Sequence, residues 1–321
     1  MSNPVDFTLS VVVPVYDEEA VLPELYKRLS AVLDKIGADW EILFVNDGST
    51  DGTLQIIRNF DSPRVGVIDL SRNFGKEIAM SAGLDYARGD AVVLIDADLQ
   101  DPPELIPQLV DKWHEGYDVV YARRSFRDGD TLLKKITAKL FYRAIHSLSR
   151  VKIPEDTGDF RLLSRRAVES LKLLRERHRF MKGLFAWIGY PQIAVSYRRD
   201  SRFAGKTKWS YWRLWNFALE GFTSFSIAPL KLATYLGLLT AIGAFIAVGG
   251  VVYKTLVYGD PVQGYPSLMV VILFLGGIQL MGLGMIGEYL GRMFNESKQR
   301  PLYLVNGFSP SSMQENIEKL R

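Results

Sequence analysis

Two carboxylates stand at the end of an apolar run, where Ala91-Val92-Val93-Leu94-Ile95 leads into Asp96-Ala97-Asp98-Leu99-Gln100. Apolar residues in an unbroken row read as a strand buried on both faces, as in a parallel sheet. Side chains alternate along a strand, so positions i and i+2 point the same way. Asp96 and Asp98 are therefore expected on one side of the strand's end. Like charges so placed repel unless a cation lies between them, and a hard divalent cation that also holds phosphate oxygens meets that need. A solvated strand-to-loop turn is the alternative that this stretch leaves open.

The flanking elements say what positions the pair. Leu9 to Tyr16 reads as a strand, and Asp17-Glu18-Glu19 as the acidic opening of a helix running to about Ile36. Glu41 to Asp47 is a second buried strand, Gly48 to Thr53 a turn and helix start, Val65 to Leu70 a third strand, and Lys76 to Ala87 a helix. Strands and helices alternating at this spacing predict right-handed βαβ units around a mostly parallel sheet. Such sheets bind ligands outside the carboxyl ends of their strands. Asp47, Asp69 and the Asp96/Asp98 pair all fall at strand ends, which predicts a polar pocket on that edge. Neither Gly-x-Gly-x-x-Gly nor Gly-x-x-x-x-Gly-Lys-[Ser/Thr] occurs, so dinucleotide and P-loop chemistry lose support.

Further along, Pro102-Pro103-Glu104 opens a helix to about Glu115, and Asp118 to Ala122 is a strand. A polar stretch from Arg123 to Asp130 precedes Lys134, Lys135 and Lys139 on a helix. Thr157 to Leu163 reads as a polar turn entering a strand, and Ile193 to Tyr197 as a late strand. Arg198 to Lys208 is strongly basic, either a solvated charge run or an anion clamp against a membrane.

The 321 residues carry a formal net charge of +3 and no cysteine, which excludes disulfides and thiolate metal sites. A mean hydropathy of +0.03 averages two unlike halves. Met1 to Asp6 lacks a basic and apolar leader, so the catalytic part is expected to stay on the cytoplasmic side. Trp209, Trp212 and Trp215, with Leu219 and Phe222 at helical spacing, suggest a helix lying in a bilayer interface, with core packing as the alternative. Leu232 to Tyr253 and Leu268 to Gly287 are nearly free of charge, each long enough to cross ~30 Å of hydrocarbon at ~1.5 Å per residue. Basic residues flank the pair outside, which places both termini in the cytoplasm. The predicted organisation is a catalytic domain over 1–208, an interfacial helix over 209–228, a transmembrane hairpin over 229–291 and a cytoplasmic tail over 292–321.

Val13-Pro14-Val15-Tyr16-Asp17-Glu18, Asn46-Asp47-Gly48-Ser49-Thr50-Asp51, Asp96-Ala97-Asp98-Leu99-Gln100-Asp101-Pro102-Pro103-Glu104 and Arg202-x-x-Gly205-x-Thr207-Lys208 occur in this order. Together they resemble the motifs of the polyprenyl-phosphate glycosyltransferases of inverting glycosyltransferase family 2. The two-span tail is similar to the bacterial undecaprenyl-phosphate glucosyltransferase branch. The resemblance implies a GT-A fold, a nucleotide diphosphate sugar donor (UDP-glucose in the first instance, GDP-mannose as the alternative), a polyprenyl phosphate acceptor, and Mg²⁺ or Mn²⁺. It implies that Pro14, Tyr16, Glu18, Asp47, Asp96 and Ala97 line the donor site and that Asp98 and Gln100 hold the metal. Arg123 and Arg202 would bind the acceptor phosphate, with Lys208 near the phosphates. Lys134 and Lys135 stand where relatives carry a further Arg, and a Lys point charge is a weaker match than a planar fork. Asp159 would position the sugar or the lipid phosphate, joining Asp98 and Arg202 in the catalytic set. The implied location is the inner membrane, with a homo-oligomer, a tetramer among the options, and no nucleic-acid partner.

The chemistry agrees with that resemblance. A sugar hydroxyl acceptor would need a carboxylate base, whereas a phosphate monoester with a second pKa near ~6 arrives largely dianionic at pH 7. It needs cations to bring it beside another anion, and the chain is rich in Arg and Lys between Arg123 and Lys208. A processive polysaccharide synthase would carry Gln-x-x-Arg-Trp, which is absent; Phe185-Ala186-Trp187 stands in that region. A membrane scaffold or flippase subunit with a vestigial nucleotide fold is a rival from another class, opposed by the intact Asp47, Asp96, Asp98 and Arg202.

Overall fold

The computed structural model describes residues 7–124, 154, 157–177, 179–197, 235–240, 242–243, 246, 249–250, 253, 256–257 and 264–319. Lys134, Lys135, Arg202, Lys208, the interfacial helix over 209–228 and much of the first expected span lie outside the described residues.

Strands β1 (Thr8–Val15), β2 (Asp39–Asn46), β3 (Val65–Leu70) and β4 (Ala91–Leu94) are linked by helices α1 (Leu22–Leu33), α2 (Thr53–Arg58) and α3 (Lys76–Tyr86). β1 pairs in parallel with β2 and β4, and β2 with β3. The unbroken apolar runs are explained by a core on each face. Val11, Val13, Ile42, Phe44 and Val93 pack with Leu22, Leu25 and Leu29 of α1. Their neighbours Val12, Leu43, Val45, Val92 and Leu94 pack with Ala79, Met80 and Ala82 of α3, as strand alternation requires. Helix α3 lies close to the sheet because residue 83 is glycine: a Cβ there would sit 2.1 Å from Val12 Cγ1.

A single 3₁₀ turn (Pro103–Leu105) leads into α4 (Ile106–His114), followed by β5 (Val119–Arg124), β6 (Thr157–Ser164), α5 (Arg165–Leu173), α6 (Met181–Trp187) and β7 (Gln192–Tyr197). The sheet order is β7-β5-β6-β4-β1-β2-β3, with an eighth strand (β8, Val305–Ser309) outside β3. β6 runs antiparallel to β4 and β5, while β5 and β7 are parallel. The fold is thus α/β of the GT-A type, with a parallel centre and antiparallel strands inserted beside it. Two local expectations are corrected. The segment from Thr157, expected as a polar turn entering a strand, is strand from Thr157 onward and is buried at every position. Its polar groups find partners there, as when Ser164 Oγ donates to Asp118 Oδ1 at 2.7 Å. The first helix opens at Leu22, not at Asp17, because Asp17 takes a left-handed φ of 51° and its Oδ1 accepts from Thr50 N at 2.8 Å.

Helix α7 (Tyr265–Ser297) leads to β8 (Val305–Ser309) and α8 (Ser312–Lys319). The tail counted apart from the catalytic domain in the sequence supplies that domain's eighth strand. β8 pairs antiparallel with β3 and covers an edge that would otherwise offer unpaired backbone groups. Ser311 Oγ donates to Glu41 Oε2, and Met313 and Gln314 are buried. At the root of α7, Glu296 Oε1 accepts from Arg177 N at 2.7 Å, while Asp85 pairs with Arg175 at 2.7 Å and accepts from Tyr303 OH at 2.8 Å. A cavity of about 680 Å³ lies at this junction, lined by Asp85, Arg175, Glu296, Arg300 and Tyr303 among others, and not at the strand-end carboxylates. Helix α7 has no charged residue from Tyr265 to Gly287. Counting only positions whose side chains the structure describes, no helix is long and apolar enough to cross a membrane.

Candidate active site

The carboxyl ends of β1, β2 and β4 meet on one edge because the strands are parallel and in register, Val15 opposite Asn46 and Val12 opposite Leu94. The loops that follow are laced together. Glu18 N donates to Thr53 Oγ1 at 2.9 Å and Gly52 N to Glu19 Oε2 at 2.8 Å. These bonds hold Pro14, half-buried Glu18 and exposed Tyr16 beside the Asp47 loop. Asp47 is buried, and its two oxygens accept from Phe74 N at 2.7 Å and Gly75 N at 2.9 Å. Burial pushes its carboxyl above the usual range, against the pull of those two amides. Asp47 therefore fixes the turn that starts α3. Gly48 makes this possible: it has a φ of +68°, and a Cβ there would meet Arg72 C at 2.5 Å.

At the end of β4 the sequence expectation is corrected in part. The strand ends at Leu94, so strand alternation does not extend to Asp96 and Asp98. Residues 97–99 turn instead, with Leu99 at a left-handed φ of 55°. Asp98 Oδ1 accepts from Gln100 N at 3.1 Å. Ala97 is buried. The cation against Asp96 is the Lys76 ammonium, 2.6 Å from Oδ1 and 2.8 Å from Oδ2. Among the described residues no group of three or more His, Asp or Glu side chains could hold a metal. Asp69 is no part of this cluster either. It accepts from Asn46 Nδ2 at 2.7 Å and Asn306 Nδ2 at 2.9 Å, so it ties down the tail strand.

Strand β6 brings Asp159 to the same place. It runs antiparallel to β4 with Arg161 opposite Leu94, so Asp159 falls level with Asp96. Lys76 Nζ donates to Asp159 Oδ2 as well. Lys76 is an exposed residue, and partial loss of water around its ammonium is outweighed by Asp159 and Asp96, which hold the pKa well above the ordinary lysine value. Burial would raise Asp159; Lys76 and Lys182 reverse this and hold it well below the carboxylate range. Burial raises Asp96, with Lys76 opposing. Glu77, next along α3, is pushed up to about 7 by burial and by the nearby Asp159 charge. Its Oε2 accepts from Met181 N at 2.9 Å. Arg161 is buried against the Phe185 ring at 3.7 Å, and burial lowers its guanidinium to about 10. Arg123 is exposed near the carboxyl end of β5, opposite Thr157.

The structure thus gathers Asp96 and Asp159, with Asp47, Asp98, Gln100 and Arg123 on the same edge. It adds Lys76, Glu77 and Arg161, which sequence reasoning passed over. The available signal for Lys76 was its position, the first residue of a helix that starts directly after a parallel strand's carboxyl end, where open α/β sheets bind ligands.

Residues 10–172 match the family model described as glycosyl transferase family 2, and residues 228–293 match the GtrB C-terminal hairpin. An uncharacterized glycosyltransferase of Synechocystis sp. is 57% identical over 300 residues, covering 93% of this chain and 94% of the relative. Uncharacterized glycosyltransferase YkcC of Bacillus subtilis is 49% identical over 92% of both chains. The bactoprenol glucosyl transferase of Shigella phage SfV is 50% identical over 92% of this chain and 97% of its own.

Proposed function

The chain belongs to glycosyl transferase family 2 and is a glycosyltransferase, and from that premise we propose that it moves glucose from UDP-glucose to undecaprenyl phosphate with inversion, giving a lipid-linked monophosphate sugar. The observation that carries this reading is the 50% identity over 92% of the chain to a bactoprenol glucosyl transferase. The hairpin match over 228–293 supports a membrane-embedded acceptor side. So does the sequence itself, whose uncharged run from Leu268 to Gly287 has about the length that ~30 Å of hydrocarbon takes at ~1.5 Å per residue. The proposed location is the inner membrane, with the catalytic domain and both termini cytoplasmic. A homo-oligomer, a tetramer among the options, belongs to the same proposal, since Gly276, Gly277, Gly287 and Gly291 leave open space along α7.

The residues divide the work. The Pro14–Glu18 and Asp47–Asp51 loops frame the nucleotide. Asp98 and Gln100 offer oxygen donors of the hard type that Mg²⁺ or Mn²⁺ takes, and Mg²⁺ commonly uses one or two carboxylates together with substrate phosphates. A bound divalent ion would offset charge on the departing diphosphate. Arg123 on the described edge, with Arg202, Lys208, Lys134 and Lys135 from the sequence, would seat the acceptor phosphate. That phosphate is already ionised, so no side chain has to act as a strong base; the cations need only place one anion beside another.

The test incubates membranes holding the full chain with labelled UDP-glucose, other nucleotide sugars and undecaprenyl phosphate. A chloroform-soluble, acid-labile product from UDP-glucose is expected, lost on chelation and restored by Mg²⁺ or Mn²⁺. Transfer only from GDP-mannose, a long water-soluble polymer, or no transfer would each overturn the reading.

A further inference from the structure

Lys76 has no role in the proposal above, yet it is the most tightly engaged side chain on the carboxylate edge. Its ammonium contacts both oxygens of Asp96 and Oδ2 of Asp159. The two carboxylates come from different elements, one after β4 and one inside β6, so Lys76 pins two strand ends from the start of α3. Asp47 holds the amides of Phe74 and Gly75 immediately before it, which fixes where the lysine begins. This leaves one oxygen unaccounted for: Asp159 Oδ1 is buried and has no hydrogen-bond partner among the described residues. A buried carboxylate oxygen without a donor is costly, roughly 1–3 kcal/mol or more, and native structures leave few of them. A carboxylate oxygen can only accept, so a hydrogen-bond donor or a cation would complete it. A phosphate dianion has no proton to give; a sugar hydroxyl has one.

We propose that Lys76 is a positioning residue for the transferred sugar: by holding Asp159 through Oδ2 it presents Oδ1 as the acceptor for one hydroxyl of the donor hexose. Resting on the donor assignment above, this gives Asp159 a sugar-binding role rather than a phosphate-binding one. It also explains why a lysine sits among carboxylates that would otherwise repel each other. A lysine here is a counter-charge with one direction of approach to each oxygen. Arginine at the same place keeps the charge but presents a planar fork in place of a single ammonium.

The experiment compares wild type, Lys76→Met and Lys76→Arg in the full membrane-bound chain, using UDP-glucose and its 2-, 3-, 4- and 6-deoxy analogues with undecaprenyl phosphate. In the wild type one deoxy donor should lose ~10- to 100-fold in kcat/KM, because the site's acceptor is then left unpaired. Lys76→Met should lower kcat by about 10²-fold, as misplaced reacting groups do. It should also shrink that deoxy penalty to within about threefold and leave UDP affinity within about threefold of wild type. Lys76→Arg should keep a penalty for the same analogue. The idea is overturned if no analogue is penalised in the wild type, if Lys76→Met keeps the full penalty, or if its kcat stays within about threefold. If Lys76→Met does not fold, Lys76→Gln takes its place, and a full deoxy penalty with kcat within about threefold of wild type overturns the idea. Absence of any wild-type transfer is a separate result, and refutes the donor assignment instead.

Discussion

Replacing Ser311 by alanine tests whether the tail is part of the catalytic fold. Ser311 and Glu41 are both fully buried, and the Ser311 hydroxyl donates to Glu41 Oε2. Glu41 keeps Ser10 Oγ at 2.6 Å and Arg88 N at 3.2 Å after the change, but both are on Oε1, so the buried Oε2 loses the donor that Ser311 supplies. A hydrogen bond to a charged group contributes ~1.5–3 kcal/mol. Ser311 also accepts from Gln314 N at 3.4 Å at the start of α8, a long contact that adds little. The expected cost is therefore about 2 kcal/mol, which for a domain of this size lowers the melting temperature by ~4–8 °C. Urea titration in detergent, followed by the fluorescence of buried Trp40, should show an earlier midpoint with an unchanged slope. Glucosyl transfer measured well below the transition should stay at the wild-type level, since Ser311 is remote from the Lys76 cluster. A loss under ~0.5 kcal/mol would refute the idea that this bond anchors the tail to β2.

Three further outcomes follow from the same geometry. Gly83→Val should destabilise the protein by ~1–3 kcal/mol or prevent folding, because even a Cβ meets Val12 Cγ1 at 2.1 Å; thermal melting checks this. Asp47→Ala should slow transfer and also destabilise by ~1–3 kcal/mol, because Phe74 N and Gly75 N lose their acceptor; an activity assay paired with a melting curve separates the two effects. Glu77, raised to about 7 in the folded state from an ordinary 4.5, binds its proton more tightly folded than unfolded. Its contribution to stability is then full below about pH 4.5 and is lost as pH rises through about 7. The slope should not exceed ~1.4 kcal/mol per pH unit for one proton, and Glu77→Gln should flatten the stability profile over that interval.

The chain's local pattern determined the alternation of β1, α1, β2, α2, β3, α3 and β4, because runs such as Val11–Val13 and Ile42–Val45 can be satisfied only by strands buried on both faces. It also placed Asp47, Asp96 and Asp98 at the carboxyl edge, since parallel strands connected by helices all point their ends one way. Partners distant in sequence decided the rest. That Asp159 meets Asp96 depends on the antiparallel register of β6 against β4, which a polar turn entering a strand does not disclose by itself. Lys76 and Asp159 are 83 positions apart, and no periodicity links them. Asp69 reads in the sequence as another strand-end carboxylate, but β8 arrives after α7 and converts it into a tether for Asn306. Asp96 and Asp98 both lie on the candidate site's edge, but the pleat that would have aligned them stops at Leu94. The turn that replaces it leaves Asp96 to the lysine and Asp98 with Gln100. Sequence pattern supplies each element's type and the edge on which its polar end falls; tertiary pairing supplies the counter-charge, because only packing brings opposite charges from separate elements within hydrogen-bonding distance.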